Sequence, residues 1–192
     1  PDPRAAMAVA AAKIFGHPAD AMTMFGVTGT NGKTTTAFLV EAGLRAAGRH
    51  VGTIGTIGFQ LDGVELPSAR TTVTTPEAPD LQGLFGAMAE RGATDVVMEV
   101  SSHALALQRV DGTRFDVAAF TNLGRDHLDF HKTLDDYFEA KARLFTSNLA
   151  RLGVINVDDP RGRQLVERMQ ASGVTAVTTS IHEPSDYQVT SW

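Results

Sequence analysis

Residues 26–36 read GVTGTNGKTTT. Three glycines, one lysine and a run of threonines in so short a span could cradle phosphate. Glycines let backbone N–H groups turn toward an anion, and a helix N-terminus adds partial positive charge. Here Gly26, Gly29 and Gly32 would supply the turns. Lys33 would reach β- and γ-phosphates, and Thr34 would put a hydroxyl on Mg²⁺. The stretch departs from the general G-x-x-x-x-G-K-[ST] pattern, because the place of the first glycine is held by Val27. The alternative is a small-residue turn that only caps a helix. A strand before the loop and a helix after it favour phosphate binding.

Three further groups could do chemistry. Glu99 lies in the apolar run VVMEV and is followed by Ser101, Ser102 and His103. A buried carboxylate is costly without a cation, which bound Mg²⁺ would supply. A glutamate on an edge strand facing water reads the same in this stretch alone. Ser101 lacks the flanking glycines of a nucleophile elbow. Lys141 falls inside an apolar stripe of Leu134, Phe138, Phe145 and Leu149, whereas Arg143 does not. Burial lowers the pKa of an amine and makes it nucleophilic, able to take up CO₂ as an anionic carbamate. A lysine that snorkels to water is the commoner outcome of that spacing. Finally, NLGRDHLDFH (122–131) gathers Asn122, Arg125, Asp126, His127, Asp129 and His131. They suit metal or phosphate; a zinc site from His127 and His131 has only spacing behind it, with no H-E-x-x-H.

Alternating strands and helices are needed to position these groups. The pattern predicts a helix over 4–15, a strand over 22–28, and a helix from Lys33 with Phe38, Leu39, Ala42 and Leu44 near one face, closed by Gly48. Strand character follows over 50–66, turning at Asp62-Gly63. A helix runs from Pro76 to about Arg91, and strands cover 94–100 and 115–124, with a short helix or turn after the first. A helix is expected over 133–149, a strand over 153–159, a helix over 160–172 and a strand over 175–180. This order implies an α/β fold with a mostly parallel sheet covered on both faces. The 192 residues hold no cysteine and carry a net charge of −5, which leaves no thiol chemistry and no basic nucleic-acid footprint. No run is apolar enough to span a bilayer, and a cytoplasmic location is expected.

The motifs in order resemble the Mur ligases, ATP-dependent amide-forming enzymes of peptidoglycan synthesis. Their loop reads G-x-x-G-T-x-G-K-[ST], matched by GVTGTNGKT, so the opening mismatch is a family variant. TTPE, MEVSSHAL, FTNLGRDHLDFH, YFEAKARLF and NVDDPRGR extend the resemblance over about residues 5–190. They look most like the member that adds a diamino acid, meso-diaminopimelate or L-lysine, to UDP-MurNAc-L-Ala-D-Glu.

The resemblance implies that Gly29, Thr30, Asn31, Gly32, Lys33, Thr34 and Thr35 hold ATP. Thr34 and Glu99 would bind one Mg²⁺, and carbamylated Lys141 with His127 a second. Thr74, Thr75, Ser101 and Arg109 would contact the UDP-linked substrate. Family members that carry Asn before the Thr pair and Gln two before the Arg have polar groups where this chain has Val73 and Leu107. A substrate carboxylate would attack the ATP γ-phosphate to give an acyl phosphate, which the incoming amine displaces. By the same resemblance, residues 1–20 are the tail of an N-terminal domain or a linker helix. Residues 21–192 are then a central ATP-binding domain, incomplete at its C-terminal end, and inactive as an isolated piece. A folylpolyglutamate synthase-like ligase and a nucleotide-binding Mur-like pseudoenzyme are the alternatives.

Overall fold

In the computed structural model, which describes residues 2–66, 74–127 and 129–191, the chain builds one nine-stranded sheet. Strand β1 (Thr23–Thr28) lies at its centre, between β5 (Asp95–Glu99) and β6 (Phe115–Phe120). Beyond β5 come β2 (Val51–Gly55), β3 (Gly58–Leu61) and β4 (Val64–Glu65). Beyond β6 come β7 (Ala150–Asn156), β8 (Thr175–Ser180) and β9 (Tyr187–Gln188). All neighbours pair in parallel except β2 with β3 and β3 with β4. The Asp62-Gly63 turn joins β3 to β4 with positive φ at both residues (52° and 78°), as a tight hairpin of that twist requires.

Helices cover both faces, unequally. On one face α3 (Ala78–Glu90), α4 (Ser102–Ala106), α5 (Leu134–Ala142) and α6 (Pro160–Ser172) close over the larger core. Phe85, Met88, Leu105, Phe115, Phe120, Phe138 and Leu165 are buried there. On the other face α2 (Lys33–Ala46) packs against Phe25, Val27, Val51 and Val97. The alternation of β1 thus serves two cores at once. Helix α1 (Pro3–Ile14) lies against the rim, where a Cβ on Gly112 would sit 3.1 Å from Ala12 Cβ.

Several expected boundaries move. The buried face of α2 is Ala37, Val40, Glu41 and Leu44, while Leu39 is 69% exposed and Ala42 is exposed too. Glu41 occupies an inner position by pairing with Arg45 at 3.0 Å, a polar residue that apolar spacing could not find. The expected helix over 133–149 ends at Ala142 and tightens into a 3₁₀ turn, Arg143–Phe145. Arg143 is drawn to Asp111 at 2.6 Å, and Thr146 Oγ1 donates to the Arg143 carbonyl at 2.9 Å. β7 then starts at Ala150, paired with Phe115, three residues earlier than expected. Asp159, expected in that strand, instead caps α6 by accepting from Arg161 N–H at 2.8 Å. β6 stops at Phe120, because Thr121 to Gly124 turn toward the glycine loop. α3 begins at Ala78, with Glu77 as its N-cap. Gly26 is a strand residue in register with Met98, and a Cβ there would meet the Phe115 ring at 2.9 Å, so it serves packing and not anion binding.

Phe85 is fully buried under the sheet. Phe85→Ala should lower the unfolding free energy by about 3–5 kcal/mol. Glu90→Ala, exposed at the end of the same helix, should stay within about 0.5 kcal/mol in the same urea titration.

Candidate active site

The carboxyl ends of the central strands share one edge: Val27 is level with Glu99, and Thr28 with Phe120. Ligands bind at such edges. Here the loops enclose a cavity of about 550 Å³, lined by Thr30 to Thr34, Thr56, Thr74, Thr75, Glu99, Ser101 to His103, Arg109, His127 and Lys141.

Gly29 and Gly32 adopt φ of 147° and 84°, and a Cβ on Gly29 would fall 1.9 Å from Thr121 Oγ1. Residues after β6 brace the loop. Asn122 accepts from Asn31 N–H at 3.0 Å and returns its Nδ2 to the Asn31 carbonyl at 3.2 Å. Thr121 Oγ1 donates to that carbonyl at 2.6 Å. Leu123 N–H is held by Asp159 at 2.6 Å. The first intrahelical bond of α2 runs from Thr36 N–H to Gly32 at 2.9 Å. The N–H groups of Lys33, Thr34 and Thr35 therefore have no intrahelical acceptor, as at any helix start. The Thr35 side chain is exposed and does not line the cavity.

Glu99 is 2% exposed in β5, an inner strand, so the water-facing alternative fails. Its Oε2 accepts from Thr34 Oγ1 at 2.9 Å, and its Oε1 accepts from Thr56 N–H at 2.8 Å. Gly55 leaves the room, since a Cβ there would lie 2.3 Å from Oε1. Thr56, absent from the sequence expectations, had only its place beyond a strand end to reveal it.

Lys141 is 1% exposed and does not snorkel. Thr133 and Asp136 form a capping box that starts α5, and the helix turns Tyr137, Phe138 and Lys141 inward. Lys141 Nζ donates to the Gly29 carbonyl at 2.8 Å and lies 4.4 Å from the centre of the Tyr137 ring. Lys33 Nζ donates to the same carbonyl and to that of Thr30, both at 2.9 Å. Burial, and then the Lys33 charge, bring the Lys141 pKa down from 10.5 to about 7, while Asp126 acts the other way. The Lys33 pKa is also lowered by burial, against the opposing pull of Glu99 and Asp126. Tyr137, missed in the sequence, links α5 to the loop through Thr30 Oγ1 at 3.2 Å.

His127 lies at the rim, its side chain 42% exposed, with φ of 53°. Its ring meets that of His103 at 4.9 Å. The Nε2 of buried His131 is engaged by Ser102 Oγ at 2.9 Å. Among the described residues no three His, Asp or Glu side chains converge as a metal site, which gives the zinc expectation no support. Opposite the glycine loop, Thr75 Oγ1 donates to the Glu99 carbonyl at 2.9 Å and accepts from Ser101 N–H at 3.1 Å. Thr74 Oγ1 meets Thr56 Oγ1 at 3.2 Å, and Arg109 Nη1 donates to the Thr75 carbonyl at 3.0 Å. Val73 is outside the described residues, and Leu107 is the C-cap of α4.

Fold and site together define a phosphate-loop α/β domain. The family model for the Mur ligase middle domain matches residues 27–191, and the chain belongs to the Mur ligase family. It is 51% identical over 192 residues to the UDP-N-acetylmuramoyl-L-alanyl-D-glutamate–2,6-diaminopimelate ligase of Corynebacterium glutamicum, covering 98% of this chain and 36% of that protein. Identity to the ligase of the same name from Streptomyces coelicolor is 53% over 174 residues, covering 91% and 34%. A solved structure of a ligase of this name matches with a TM-score of 0.80 at 34% identity, covering 88% of this chain and 34% of that one. E. coli FolC in complex with DHPP and ADP matches with a TM-score of 0.70 at 24% identity, covering 92% and 46%, a likeness of fold. The chain spans about a third of the length of the curated relatives it matches. Among the described residues no helix is long and apolar enough to cross a membrane.

The buried amine has a pH signature. Below pH 7 Lys141 is charged in the folded and unfolded states, and its burial penalty is felt in full. Between about 7 and its ordinary 10.5 the folded protein has released a proton that the unfolded chain keeps. Stability should therefore climb with pH across that window. Lys141→Met should flatten the climb and stabilise the fold most near and below pH 7, in urea unfolding under CO₂-free buffer. An unchanged slope would remove Lys141 as its source.

Proposed function

We propose that the chain is the central ATP-binding domain of an amide ligase that joins a diamino acid, meso-diaminopimelate, to UDP-MurNAc-L-Ala-D-Glu. Residues 21–192 form that domain in this reading, and residues 1–20 its connection to an N-terminal one. The observation that carries it is the composition of one cavity. The glycine loop, Lys33 and Glu99 face Thr74, Thr75, Ser101 and Arg109 across it, with Lys141 beside the loop. Relatives about half identical bear the name of a ligase with this substrate and diaminopimelate.

ATP phosphates would take the free N–H groups at the start of α2 and the ammonium of Lys33. A second cavity of about 990 Å³ adjoins the loop at Asn31 and Gly32, with Leu39, Phe120 and Ile181 in its wall, and has room for the nucleoside. Thr34 and Glu99, 2.9 Å apart, suit Mg²⁺, which takes one or two carboxylates and completes its shell with phosphate oxygens and water. A second Mg²⁺ would be held by His127 and Lys141 as its carbamate; an amine with a pKa of about 7 is partly neutral at pH 7, as attack on CO₂ requires. Bound there, the ions would neutralise charge on the transferred phosphoryl group.

The residues of the chain orient and stabilise; none forms a covalent bond to substrate. Thr74, Thr75, Ser101 and Arg109 hold the UDP-linked substrate with its D-Glu γ-carboxylate toward the γ-phosphate. Attack yields an acyl phosphate and ADP, with Lys33 following the charge. The amine of the diamino acid then displaces phosphate and forms the amide. Holding the reactants in line and neutralising the developing charge together supply the acceleration such a site needs.

The test is phosphate release by the full-length protein with ATP, Mg²⁺ and UDP-MurNAc-L-Ala-D-Glu. Release is expected with meso-diaminopimelate and not with L-lysine. Release only with a folate and glutamate would replace the reading with the folylpolyglutamate alternative, and silence in protein that binds ATP would point to a pseudoenzyme. Lys33→Ala should lower kcat at least about 100-fold. The isolated 192 residues should bind ATP and release no phosphate. With labelled bicarbonate, a carbamate resonance should appear in the wild-type protein and be missing from Lys141→Met.

A further inference from the structure

Glu77 stands at the N-cap of α3, where an acidic side chain ordinarily accepts from the first helical N–H groups. Its carboxylate makes no such bond. Oε1 instead forms an ion pair with Arg109 Nη2 at 2.6 Å, and Oε2 accepts from Arg4 Nη1 of α1 at 3.1 Å. Both oxygens are therefore committed to guanidinium groups on other elements. The Arg109 side chain is only 14% exposed and lines the cavity. Its backbone is set by the bond from its N–H to the Ala104 carbonyl at 2.8 Å, after Gln108 turns through a φ of 57°. Its Nη1 is fixed on the Thr75 carbonyl at 3.0 Å. Its Nε is buried without a partner among the described residues. One Nη1 donor is used on Thr75 and Nη2 is held in the ion pair with Glu77, so the other terminal N–H groups of a rigid fork remain for a ligand.

We propose that Glu77 is a positioning residue: by gripping Nη2 it fixes the plane of the Arg109 guanidinium and so sets the affinity for the anionic UDP-linked substrate. The proposal rests on the reading of Arg109 as a substrate contact. A guanidinium anchored only at Thr75 could swing about that contact, and its remaining donors would lose their aim. Two guanidinium groups around one carboxylate leave the cluster cationic, so an anionic ligand is still attracted. Arg4 secures the second oxygen from α1, and the exposure of that pair makes it the weaker of the two anchors.

The test is a double-mutant cycle in the full-length protein, reading KM for UDP-MurNAc-L-Ala-D-Glu, KM for ATP and the thermal midpoint. Glu77→Ala should raise the first KM about tenfold and leave KM for ATP within about twofold. Glu77→Gln, which keeps an acceptor for Nη2, should recover most of the loss. On an Arg109→Ala background, Glu77→Ala should add less than about twofold. If Arg109→Ala raises KM but Glu77→Ala leaves it alone, or the two effects multiply, the positioning role is overturned and the ligase reading stands. If Arg109→Ala does not change KM, the substrate role of Arg109 falls and takes this proposal with it. Equal losses in both KM values, tracking a lowered thermal midpoint, would reduce Glu77 to a structural ion pair.

Discussion

One carbonyl oxygen, that of Gly29, organises the site. It accepts from Lys33 at 2.9 Å and from Lys141 at 2.8 Å. Burial first, and then the charge of Lys33 on the same acceptor, bring the Lys141 pKa down to about 7. The arrangement requires Gly29 in a backbone conformation with no room for a Cβ, and a helix from the far side of the sheet aimed at the same oxygen. The capping box at Thr133, the Tyr137–Thr30 contact and the brace from Thr121 to Gly124 are the parts that meet that requirement.

Glu99 imposes the second constraint. A carboxylate in an inner strand must be satisfied on every side. Register places it level with Val27, so the loop that follows β1 passes directly over it. Thr34 and Thr56 then donate to its two oxygens, from α2 and from the bend after β2. Three elements distant in sequence are tied at one carboxylate, which makes it a structural keystone even before any cation is considered. The same strand carries the carbonyl that receives Thr75, and Ser101, whose N–H donates to Thr75, follows two residues past its end, so the two halves of the cavity are joined at the end of β5.

Much of this was legible in the sequence for physical reasons. Parallel strands buried on both faces read as apolar runs, and Gly48 and Pro160 mark helix ends by backbone preference. The loop, Glu99 and Lys141 stood out because each puts chemistry where hydrophobic periodicity forbids it. The failures are equally specific. Leu39 faces water and Glu41 lies inside because α2 packs on the sheet through Ala37, Val40 and Leu44, the face that Glu41 shares. The helix after Thr133 stopped early because Arg143 found Asp111, a contact between residues 32 positions apart. Thr56, Tyr137 and Glu77 carry ordinary types at ordinary positions; only tertiary placement distinguishes them.

Several side chains of the site already engage its own groups: Lys33 two carbonyls, Thr34 Glu99, and Arg109 both Thr75 and Glu77. Phosphate affinity is therefore a difference between those bonds and the new ones, not a sum of new ones. In the proposed function Lys33 would leave Gly29 for phosphate while the carbonyl kept Lys141, so the loop need not reorganise. The proposed carbamate would preserve this too, since its nitrogen retains one N–H for Gly29 while its oxygens carry negative charge into the cavity. Lys33 would then face an anion in place of a competing cation, and the coulombic interaction between the two side chains would turn from repulsion to attraction. Loop geometry and the charge state of Lys141 are in this way one property, read out at a single backbone oxygen.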